Sequence, residues 1–593
     1  MDVRGLSKGV TKRRPTRRDV LKAANAATLS ATLSALSAAE AAAGQLTPES
    51  VESEGGFEVE REQATAVFPQ SVASGGPTAS GVLLWTRLDP DAYDGNTPLG
   101  VEVAEDEAFE TTVYRGTVPP EELGPERDYA ATVDVDGELD ADGRYFYRFV
   151  YDGDASDVGR CRTLPAPDAS PDSLRLAVAS CNNFLHGYFG AFGHVAEEDA
   201  DFLLHLGDFI YEYGGDGVGD RRIDLPSGEE KAQDLADYRH LYRTYRSDEH
   251  LQRALRRHTL VHTWDDHEVV DARWWNYDAD APETYSHSRG RDSEFMCQLY
   301  VDAIRAYTEY VPVRATYEPE GGGSDGSEGG RELSSENLHE NFRLYRSFEF
   351  GDLADLFVTD ERLYRSSPPG SEEGSAEVPA ETAAENPGQT MLGDDQRRWL
   401  LSGMADSDAR WKLWANEVLA AEFQFARDDG MYVNAHAWDG YGRERDRIMS
   451  NLADADVENL VTLTGDMHSY LAAYLRREYE TTPGTDDSSG GDERVGVEFM
   501  APAISSDNLL EMGELPETAT EAFVAGLQAE NPHVEWFDSS HWGYVVVEVG
   551  RDELVYSAYA VDRSVDSADA PKKLLRRYRV PAGEVEMERV DDG

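Results

Sequence analysis

Short apolar runs separated by turn residues dominate the chain up to about residue 165. The stretches "FPQSVASGGPTASGVLLWTRL", "VYRGTV" and "RYFYRFVYDG" are rich in β-branched and aromatic residues and are bounded by Gly, Pro and Asp. This pattern is typical of antiparallel strands joined by tight turns. It predicts a small all-β sandwich over residues 66–166, followed by the proline-rich hinge "TLPAPDASPDS".

Beyond the hinge the apolar runs become continuous. "LRLAVASC" and "DFLLHLGDF" enclose the helical pattern "GAFGHVAEEDA", which is the β-α-β rhythm of a sheet covered on both faces. "LVHTWDDHE", "ADLFVTDERLYR", "RWKLWANEVLA" and "LVTLTGDMHSYLAAYL" continue the same rhythm. The pattern predicts an α/β domain over residues 174–560, with residues 561–593 as a separate C-terminal segment.

The first 43 residues differ from the rest of the chain in charge. They carry eight Lys and Arg against three Asp and Glu, and "TRRDVLK" precedes a weakly apolar stretch rich in Ala and Ser. Paired arginines before such a stretch indicate a twin-arginine export signal, although a basic helix that stays attached has the same composition. We therefore expect the twin-arginine machinery as a partner, a secreted or cell-surface location, no stable membrane span, and an acidic linker over residues 44–65.

The net charge of -60 is far outside the ordinary range for a soluble protein. Its acids are dispersed along the chain, and only seven of its 55 cations are lysine. A dispersed acidic coat is favoured in concentrated salt, where self-repulsion is screened, so we interpret the chain as halophilic. A low-salt protein with acidic loops is the alternative. Either way, nucleic acid and other polyanions are not expected as partners.

Four of the predicted strands end in side chains that bind metals. They are Cys181 after "AVAS", Asp208 and Tyr211 after "LLHLG", the cluster Asp265, Asp266 and His267 after "VHTW", and Asp466 with His468 after "VTLTG". Each alone has a structural interpretation, as a helix cap, a half-buried aromatic or a small buried thiol. Because ligand sites form at the carboxyl ends of strands in α/β sheets, we expect the four ends to converge.

The residue types divide into two kinds of ligand set. Thiolate, phenolate, carboxylate and imidazole suit a transition ion such as iron, whereas clustered carboxylates suit a hard ion such as calcium, manganese or magnesium. Two unlike metals are therefore expected. Asp208 is the best candidate to bridge them, at the separation of about 3.5 to 4 Å that clamps a phosphoryl group.

The chain resembles the PhoD family of alkaline phosphatases and phosphodiesterases, within the calcineurin-like metallophosphoesterase superfamily. The resemblance rests on "VASCNNFLHGYFGAF", "DFLLHLGDFIYEYG", "VHTWDDHEVVD", "RSFEFGDLADLFVTDERLYRS", "TMLGDDQRRWLLSGM", "AWDGY", "LTGDMHSYLA" and "GVEFMAPAISS", in family order. It implies a two-sheet α/β sandwich flanked by helices, preceded by a small Ig-like β-sandwich.

The resemblance also implies an Fe³⁺ ion and one or two Ca²⁺ ions. The resemblance assigns four residues as iron ligands, namely Cys181, Asp208, Tyr211 and His468. It assigns three residues as calcium ligands, namely Asp208, Asp266 and Asp466, with Asp265 as a further ligand or a supporting group. The chain reads "DDHEVVDA" where the family often reads "DDHEVENN", so Asp271 adds negative charge near an anionic substrate.

The implied reaction is hydrolysis of a small phosphate ester by in-line attack of a metal-bound hydroxide, with His267 donating a proton to the leaving alkoxide. His267 has an alternative role, holding a carboxylate ligand in place. The alternatives for the whole protein are a phospholipase D-like phosphodiesterase and a non-catalytic metal-binding envelope protein. The sequence singles out none of the 48 arginines as the phosphate ligand.

Overall fold

The computed structural model describes most of the chain beyond the predicted export signal. The described residues are 45–46, 49–50, 56–317, 338–370, 375–384, 388–427, 429–479, 493–513 and 517–590. The predicted export signal, residues 1–43, lies outside them. Within these ranges, no helix combines the length and the apolar character that crossing a bilayer requires.

Two large sheets packed face to face form the centre of the molecule. The first main sheet has, in spatial order, Gln45–Leu46, Ala130–Asp134, Leu83–Arg87, Val72–Gly75, Thr259–Thr263, Phe202–Leu206, Ser173–Ala179, Gly543–Gly550, Glu553–Val561, Lys572–Pro581 and Glu588–Arg589. The second main sheet has Arg346–Phe350, Ala354–Val358, Trp411–Asn416, Leu460–Thr464, Arg494–Met500, Tyr470–Arg476 and Val534–Asp538. The predicted two-sheet α/β architecture is confirmed.

Helices cover the outer faces of the two main sheets. Those of eight residues or more are Gly190–Glu197, Leu235–Tyr245, Glu249–Arg257, Ser293–Tyr310, Gly393–Asp406, Gly442–Asp454 and Glu517–Glu530. Shorter helices are Leu338–Asn341, Ala380–Ala384 and Leu509–Met512. Several of these helices begin at a residue whose side chain accepts hydrogen bonds from the first backbone N–H groups of the helix. The Asp248 carboxylate, for example, accepts hydrogen bonds from the backbone N–H groups of His250 and Leu251.

The continuous apolar runs are explained by burial on both faces of each sheet. In the strand Phe202–Leu206, Leu203 packs with the helices, whereas Leu204 and Leu206 face the second main sheet. Burying such a side chain contributes about 1.5 to 3 kcal/mol. The polar side chain in this strand, His205, is buried as well and its Nε2 lies 2.7 Å from Asn182 Oδ1, so the strand does not alternate between apolar and exposed polar residues.

The N-terminal sandwich is joined to the catalytic region through a shared sheet. Its separate sandwich sheet consists of Gly159–Arg162, Arg144–Tyr151, Leu99–Ala104, Thr112–Val118, Glu49–Ser50 and Asp154–Ala155. Its other strands extend the first main sheet, where Gly75 pairs in parallel with Leu260. The apolar pattern did not indicate this continuity, because strand alternation does not specify a partner.

Two segments set apart in the sequence analysis also pair with these sheets. Strands within residues 561–593, which were expected to be a separate segment, extend the first main sheet through Lys572–Pro581 and Glu588–Arg589. The strand Lys572–Pro581 is rich in Lys and Arg, so the sequence pattern did not indicate that its apolar residues Tyr578 and Val580 are buried. In the predicted acidic linker, Glu60 and Arg61 donate backbone hydrogen bonds to the Gly153 carbonyl of the sandwich.

Candidate metal centre

The sheet topology brings the predicted strand ends to one crevice. In the first main sheet the strands before Cys181, Asp208 and Asp265 are parallel neighbours. In the second main sheet the strand before Asp466 lies parallel to Trp411–Asn416 and Arg494–Met500. Across the sheets, the backbone of Ser180 forms an isolated bridge to Ala503. The carboxyl ends of both sheets therefore meet.

Four of the predicted ligands adopt left-handed backbone conformations. The φ angles are 56° for Cys181, 56° for Asp208, 65° for Asp466 and 52° for His468. Such a conformation is uncommon for residues with a side chain and costs of order 1 to 3 kcal/mol at each position. Strain at four ligand positions around one crevice is typical of a functional site, where the surrounding structure compensates for it.

Gly207 makes the turn before Asp208 possible. Its φ of 95° suits glycine, and an added Cβ would lie 2.5 Å from the Asp265 Cβ atom. Because no side chain separates them, the ends of two neighbouring strands approach closely. In the "GD" pair, packing therefore requires Gly207, whereas Asp208 is the predicted ligand.

Two groups of three donor atoms meet at Asp208. Cys181, Asp208 and His468 each offer a ligand atom within 4.8 Å of the others, and so do Asp208, Asp266 and His267. Asp208, which is 2% exposed, belongs to both groups. A sulfur, nitrogen and oxygen set suits a transition ion, and this arrangement could place one carboxylate between two cations.

Tyr211 and Ser506 extend the first group. The Tyr211 hydroxyl donates to Asp208 Oδ2 at 3.0 Å and lies 3.3 Å from His468 Nε2. Ser506 Oγ donates to the same phenol oxygen at 2.5 Å. His468 Nδ1 is 2.5 Å from the Asp507 carbonyl, which fixes the ring with Nε2 toward Asp208.

Arg362 joins three of the remaining carboxylates. Its Nη2 donates to Asp466 Oδ1 at 2.6 Å, its Nε donates to Asp265 Oδ1, and its Nη1 lies 3.3 Å from Asp266 Oδ2. Arg362 is 1% exposed, so these are buried ion pairs. Asp265 and Asp466 are outside both close donor groups among the described residues, and each contacts Arg362 instead.

The donors in the crevice have strongly perturbed acidities. Burial, together with the charge of Asp208, raises the pKa of the Cys181 thiol and of the Tyr211 phenol well above their usual values. Burial also raises the pKa of Asp265, and the Arg362 guanidinium opposes this rise. A bound cation would reverse these shifts, because it stabilises thiolate, phenolate and carboxylate alike. The donor set therefore fits a metal centre.

Glu212 holds the imidazole of His267. Their Oε2 and Nδ1 atoms are 2.7 Å apart, and Lys231 Nζ donates to the other carboxylate oxygen at 3.0 Å. Burial alone would raise the pKa of Glu212, but His267 and Lys231 lower it to about 2. Burial alone would lower the pKa of His267, but Asp208 and Glu212 raise it well above its usual value.

Asp271, the carboxylate where the family often has asparagine, is connected to a cation. Ser286 Oγ donates to Asp271 Oδ2 at 2.7 Å, and Lys231 Nζ donates to Ser286 Oγ at 2.8 Å. The ammonium group partly offsets the additional negative charge at the crevice. The local charge is therefore less negative than the sequence alone indicated.

Glu268 connects the turn at Asp208 with the turn at Asp265. Its buried carboxylate accepts backbone hydrogen bonds from Asp208, Phe209 and Asp265 at 2.7 to 3.1 Å. These bonds satisfy buried backbone donors at the ends of two neighbouring strands, where the strand pairing stops. Glu268 thereby fixes the spacing between the Asp208 and Asp265 turns.

Sequence reasoning missed several side chains of this site, among them Glu212, Glu268 and Arg362. Glu212 and Glu268 lie within stretches quoted for their ligands, "DFIYEYGG" and "DDHE". Arg362 follows the apolar run "ADLFV", which forms the strand Ala354–Val358. Its place just after the carboxyl end of a predicted strand is the signal in the sequence that indicates it.

Comparisons with known proteins identify the family of the chain. Residues 176–557 match the family model of the PhoD-like phosphatase, and residues 52–165 match that of the PhoD-like phosphatase N-terminal domain. Alkaline phosphatase D of Bacillus subtilis (strain 168) is 32% identical over 503 residues, covering 83% of this chain and 78% of that protein. A solved structure described as "Structure of PhoD" superposes with a TM-score of 0.72 at 29% identity, covering 91% of this chain and 94% of that one. The chain therefore belongs to the PhoD-like phosphatase family and is a phosphoric ester hydrolase.

Proposed function

We propose that the protein hydrolyses phosphate monoesters, diesters or both in a metal-dependent reaction in this crevice. The observation that carries the proposal is the position of Asp208, which belongs to two donor groups at once. We assign Cys181, Asp208, Tyr211 and His468 to an Fe³⁺ position. We assign Asp208, Asp266 and Asp466 to a Ca²⁺ position, with Asp265 as a supporting group held by Arg362.

The bound metals and the protein side chains would have different roles in the reaction. When bound, the two cations would lower the pKa of water and neutralise charge on the phosphoryl oxygens. Glu212 fixes His267 through Nδ1, which leaves the Nε2 proton for the leaving alkoxide. Arg362 offsets the charge of three carboxylates, so an anionic ester approaches a less negative surface.

Elemental analysis of the purified protein, combined with a visible spectrum, tests the metal assignment. We expect iron and calcium together, with a broad visible absorption from tyrosinate on ferric iron. The Tyr211→Phe variant should lose that absorption while it retains calcium. A colourless, iron-free and fully active preparation would contradict the thiolate and phenolate assignment.

Rates on p-nitrophenyl phosphate and bis-p-nitrophenyl phosphate, measured side by side, test the substrate class. We expect hydrolysis of at least one ester, and the ratio of kcat/KM values defines the preference between monoester and diester. The Asp208→Asn variant should lose both activities together, because both need the shared carboxylate. Inertness of the metal-loaded wild type toward both esters would refute the proposal.

We further propose that residues 1–43 direct export by the twin-arginine route and that the acidic coat is an adaptation to salt. The paired arginines Arg17 and Arg18 support the first part, and the net charge of -60 supports the second. Replacing both arginines with lysine should retain the protein inside the cell. Raising KCl from 0.1 to 2 M should raise its apparent Tm, whereas a fall would count against halophilic adaptation.

A further inference from the structure

Tyr285 is a half-buried phenol whose chain neighbours are bonded to the turn that carries Asp266. Thr284 Oγ1 donates to the Asp271 carbonyl at 2.7 Å, and Ser286 Oγ donates to Asp271 Oδ2 at 2.7 Å. Asp271 ends the stretch "DDHEVVD", which also contains Asp266, a proposed Ca²⁺ ligand. Tyr285 is therefore held beside the metal-binding part of the crevice.

His436, which directly precedes "AWDGY", contacts the oxygen of this phenol. Its Nε2 is 3.0 Å from the Tyr285 hydroxyl oxygen, and the residue is 7% exposed. Arg365 binds His436 twice, since its Nη1 donates to the carbonyl at 2.8 Å and its Nη2 lies 3.3 Å from Nδ1. Arg365 lies three positions after Arg362, so one strand end supplies both arginines.

Arg365 determines the direction of these hydrogen bonds. A guanidinium has donors and no acceptor, so Nδ1 of His436 accepts and Nε2 carries the hydrogen. Nε2 therefore donates to the Tyr285 oxygen, and the hydroxyl hydrogen of Tyr285 points away from His436. Protonation of His436 would not change this direction, because Nε2 would still carry a hydrogen. Among the described residues, the Tyr285 hydroxyl has no acceptor for that hydrogen.

The phenol remains protonated in this position. Burial, together with the charge of Asp271, raises the pKa of Tyr285 to about 12. Asp266 also raises the pKa, whereas Arg365 and Arg362 oppose the rise. Both arginines are already engaged by protein acceptors, Arg362 by carboxylates and Arg365 by His436 and a backbone carbonyl. The hydroxyl is therefore a neutral donor with an unused hydrogen beside a site for an anionic ester.

We propose that Tyr285 binds the substrate, with its hydroxyl donating a hydrogen bond to a non-bridging phosphoryl oxygen, and that His436 is the positioning residue that directs this donor. The inference rests on the proposed hydrolysis of phosphate esters in this crevice. A phosphoryl oxygen is the expected acceptor because it carries negative charge, and hydrogen bonds to charged acceptors are the stronger ones. Monoesters, diesters and inorganic phosphate all contain such an oxygen.

The Tyr285→Phe variant of the metal-loaded protein tests the hydrogen bond. It removes only the hydroxyl and keeps the ring that packs with Trp274. We expect kcat/KM to fall about 10-fold to 100-fold on each ester that the wild type hydrolyses, and the Kd of inorganic phosphate, measured by calorimetry, to rise by a similar factor. Iron and calcium contents and the visible absorption should be unchanged. The control Tyr277→Phe removes a hydroxyl that bonds to the Tyr364 carbonyl, and it should match the wild type.

Two results with Tyr285→Phe would overturn the proposal. One is a wild-type Kd for phosphate together with wild-type kcat/KM values. The other is a loss on one ester while phosphate binding is unchanged, because the hydroxyl would then contact the organic part of that ester. If the wild type were inert toward both esters, the proposed hydrolysis would fail, but phosphate calorimetry would still decide the role of Tyr285.

A double-mutant cycle tests the role of His436. His436→Met removes the Nε2 donor, so we expect a loss in kcat/KM that is smaller than that of Tyr285→Phe. In the Tyr285→Phe background, adding His436→Met should change kcat/KM by less than about twofold, because His436 acts through the missing hydroxyl. Equal losses from His436→Met in both backgrounds would show that His436 acts independently of Tyr285 and would overturn its assignment.

Discussion

Two acidic clusters in this protein are each built around one buried arginine, but among the described residues only one of them shares a residue with a close group of potential metal donors. The Arg362 cluster contains Asp265, Asp266 and Asp466. The Arg445 cluster contains Asp439, whose Oδ1 accepts from Arg445 Nη1 at 2.5 Å, together with Glu422 and Asp446 at 3.8 and 3.6 Å from other guanidinium nitrogens. Each of the two arginines therefore faces three carboxyl groups.

The two clusters differ in their neighbours and in their backbone. The Arg362 cluster adjoins thiol, phenol and imidazole donors, some of them on left-handed turns. Among the described residues, the Arg445 cluster has no such donor group, and its Asp439 carboxylate accepts instead from the Phe423 backbone N–H. A set of acids around an arginine is therefore not sufficient to form such a donor group. Mixed donor types and left-handed strand ends distinguish the two clusters.

The largest expected difference follows from neutralising Asp208, which shares a donor group with Asp266 of the Arg362 cluster, and Asp439 of the Arg445 cluster. Asp208→Asn replaces one carboxylate oxygen and removes the negative charge of the residue that belongs to both donor groups, so kcat/KM should fall by at least about 10³-fold. Asp439→Asn should keep kcat/KM within about threefold of the wild type and lower the apparent Tm. Steady-state kinetics and calorimetry on the two variants measure both effects. If Asp439→Asn abolished activity in a folded protein, the distinction between the clusters would be wrong.

Replacing the central arginine of the second cluster should affect stability rather than catalysis. Arg445→Met leaves the buried Asp439 without its cation, which costs about 3 to 5 kcal/mol in the free energy of unfolding. Urea unfolding measures this loss, and kcat should remain close to the wild-type value in the folded fraction. The matched variant Arg362→Met should lower kcat/KM in addition. Loss of kcat in both variants would contradict the comparison.

Glu212 and His267 should have a smaller effect that depends on the substrate. His267→Ala should lower kcat by about 10² to 10⁴-fold on an alkyl phosphate, and by less on p-nitrophenyl phosphate, whose leaving group needs no proton. Glu212→Gln should show the same trend at about 10-fold to 100-fold, with metal content unchanged. Equal losses on both esters would indicate instead that His267 only supports a carboxylate ligand.

The smallest expected effect is a pH dependence of the free energy of unfolding, which arises from Glu422 in the Arg445 cluster. Burial raises the pKa of Glu422 to about 7, so the folded state retains a proton that the unfolded state releases above about pH 4.5. Stability contributed by this group is therefore present below pH 4.5 and is lost as pH rises through 7. Glu422→Gln should gain about 2 kcal/mol relative to wild type between pH 5 and 8, as measured by urea unfolding. If the difference in the free energy of unfolding between Glu422→Gln and wild type did not change with pH, this role of Glu422 would be excluded.

The sequence was sufficient to predict the sheets and the convergence of strand ends. Apolar runs such as "LLHL" are buried on both faces, and the parallel order of strands brings Cys181, Asp208 and Asp266 to one edge. Such patterns are local, so they can be read directly from the chain. The family assignment followed from the same stretches and is confirmed by the comparisons.

What the sequence could not provide are the pairings between distant segments. Arg362 meets Asp265 and Asp466 across about 100 positions, and charge alone does not select it from 48 arginines. The left-handed turn at Cys181 is set by packing across the crevice rather than by the preference of cysteine. For the same reason, the contrast between the Arg362 and Arg445 clusters emerges only in three dimensions.

The pairing of Gly75 with Leu260 limits how this chain can be divided. A fragment that starts at residue 174 would keep all the proposed ligands, but the strand Thr259–Thr263 would lose its neighbour on one side. That strand leads directly to Asp265 and Asp266, and its free backbone N–H and C=O groups would form an open edge. We expect such a fragment to associate with copies of itself and to elute as oligomers on gel filtration. In the full chain, the sandwich strand Val72–Gly75 lies against that edge.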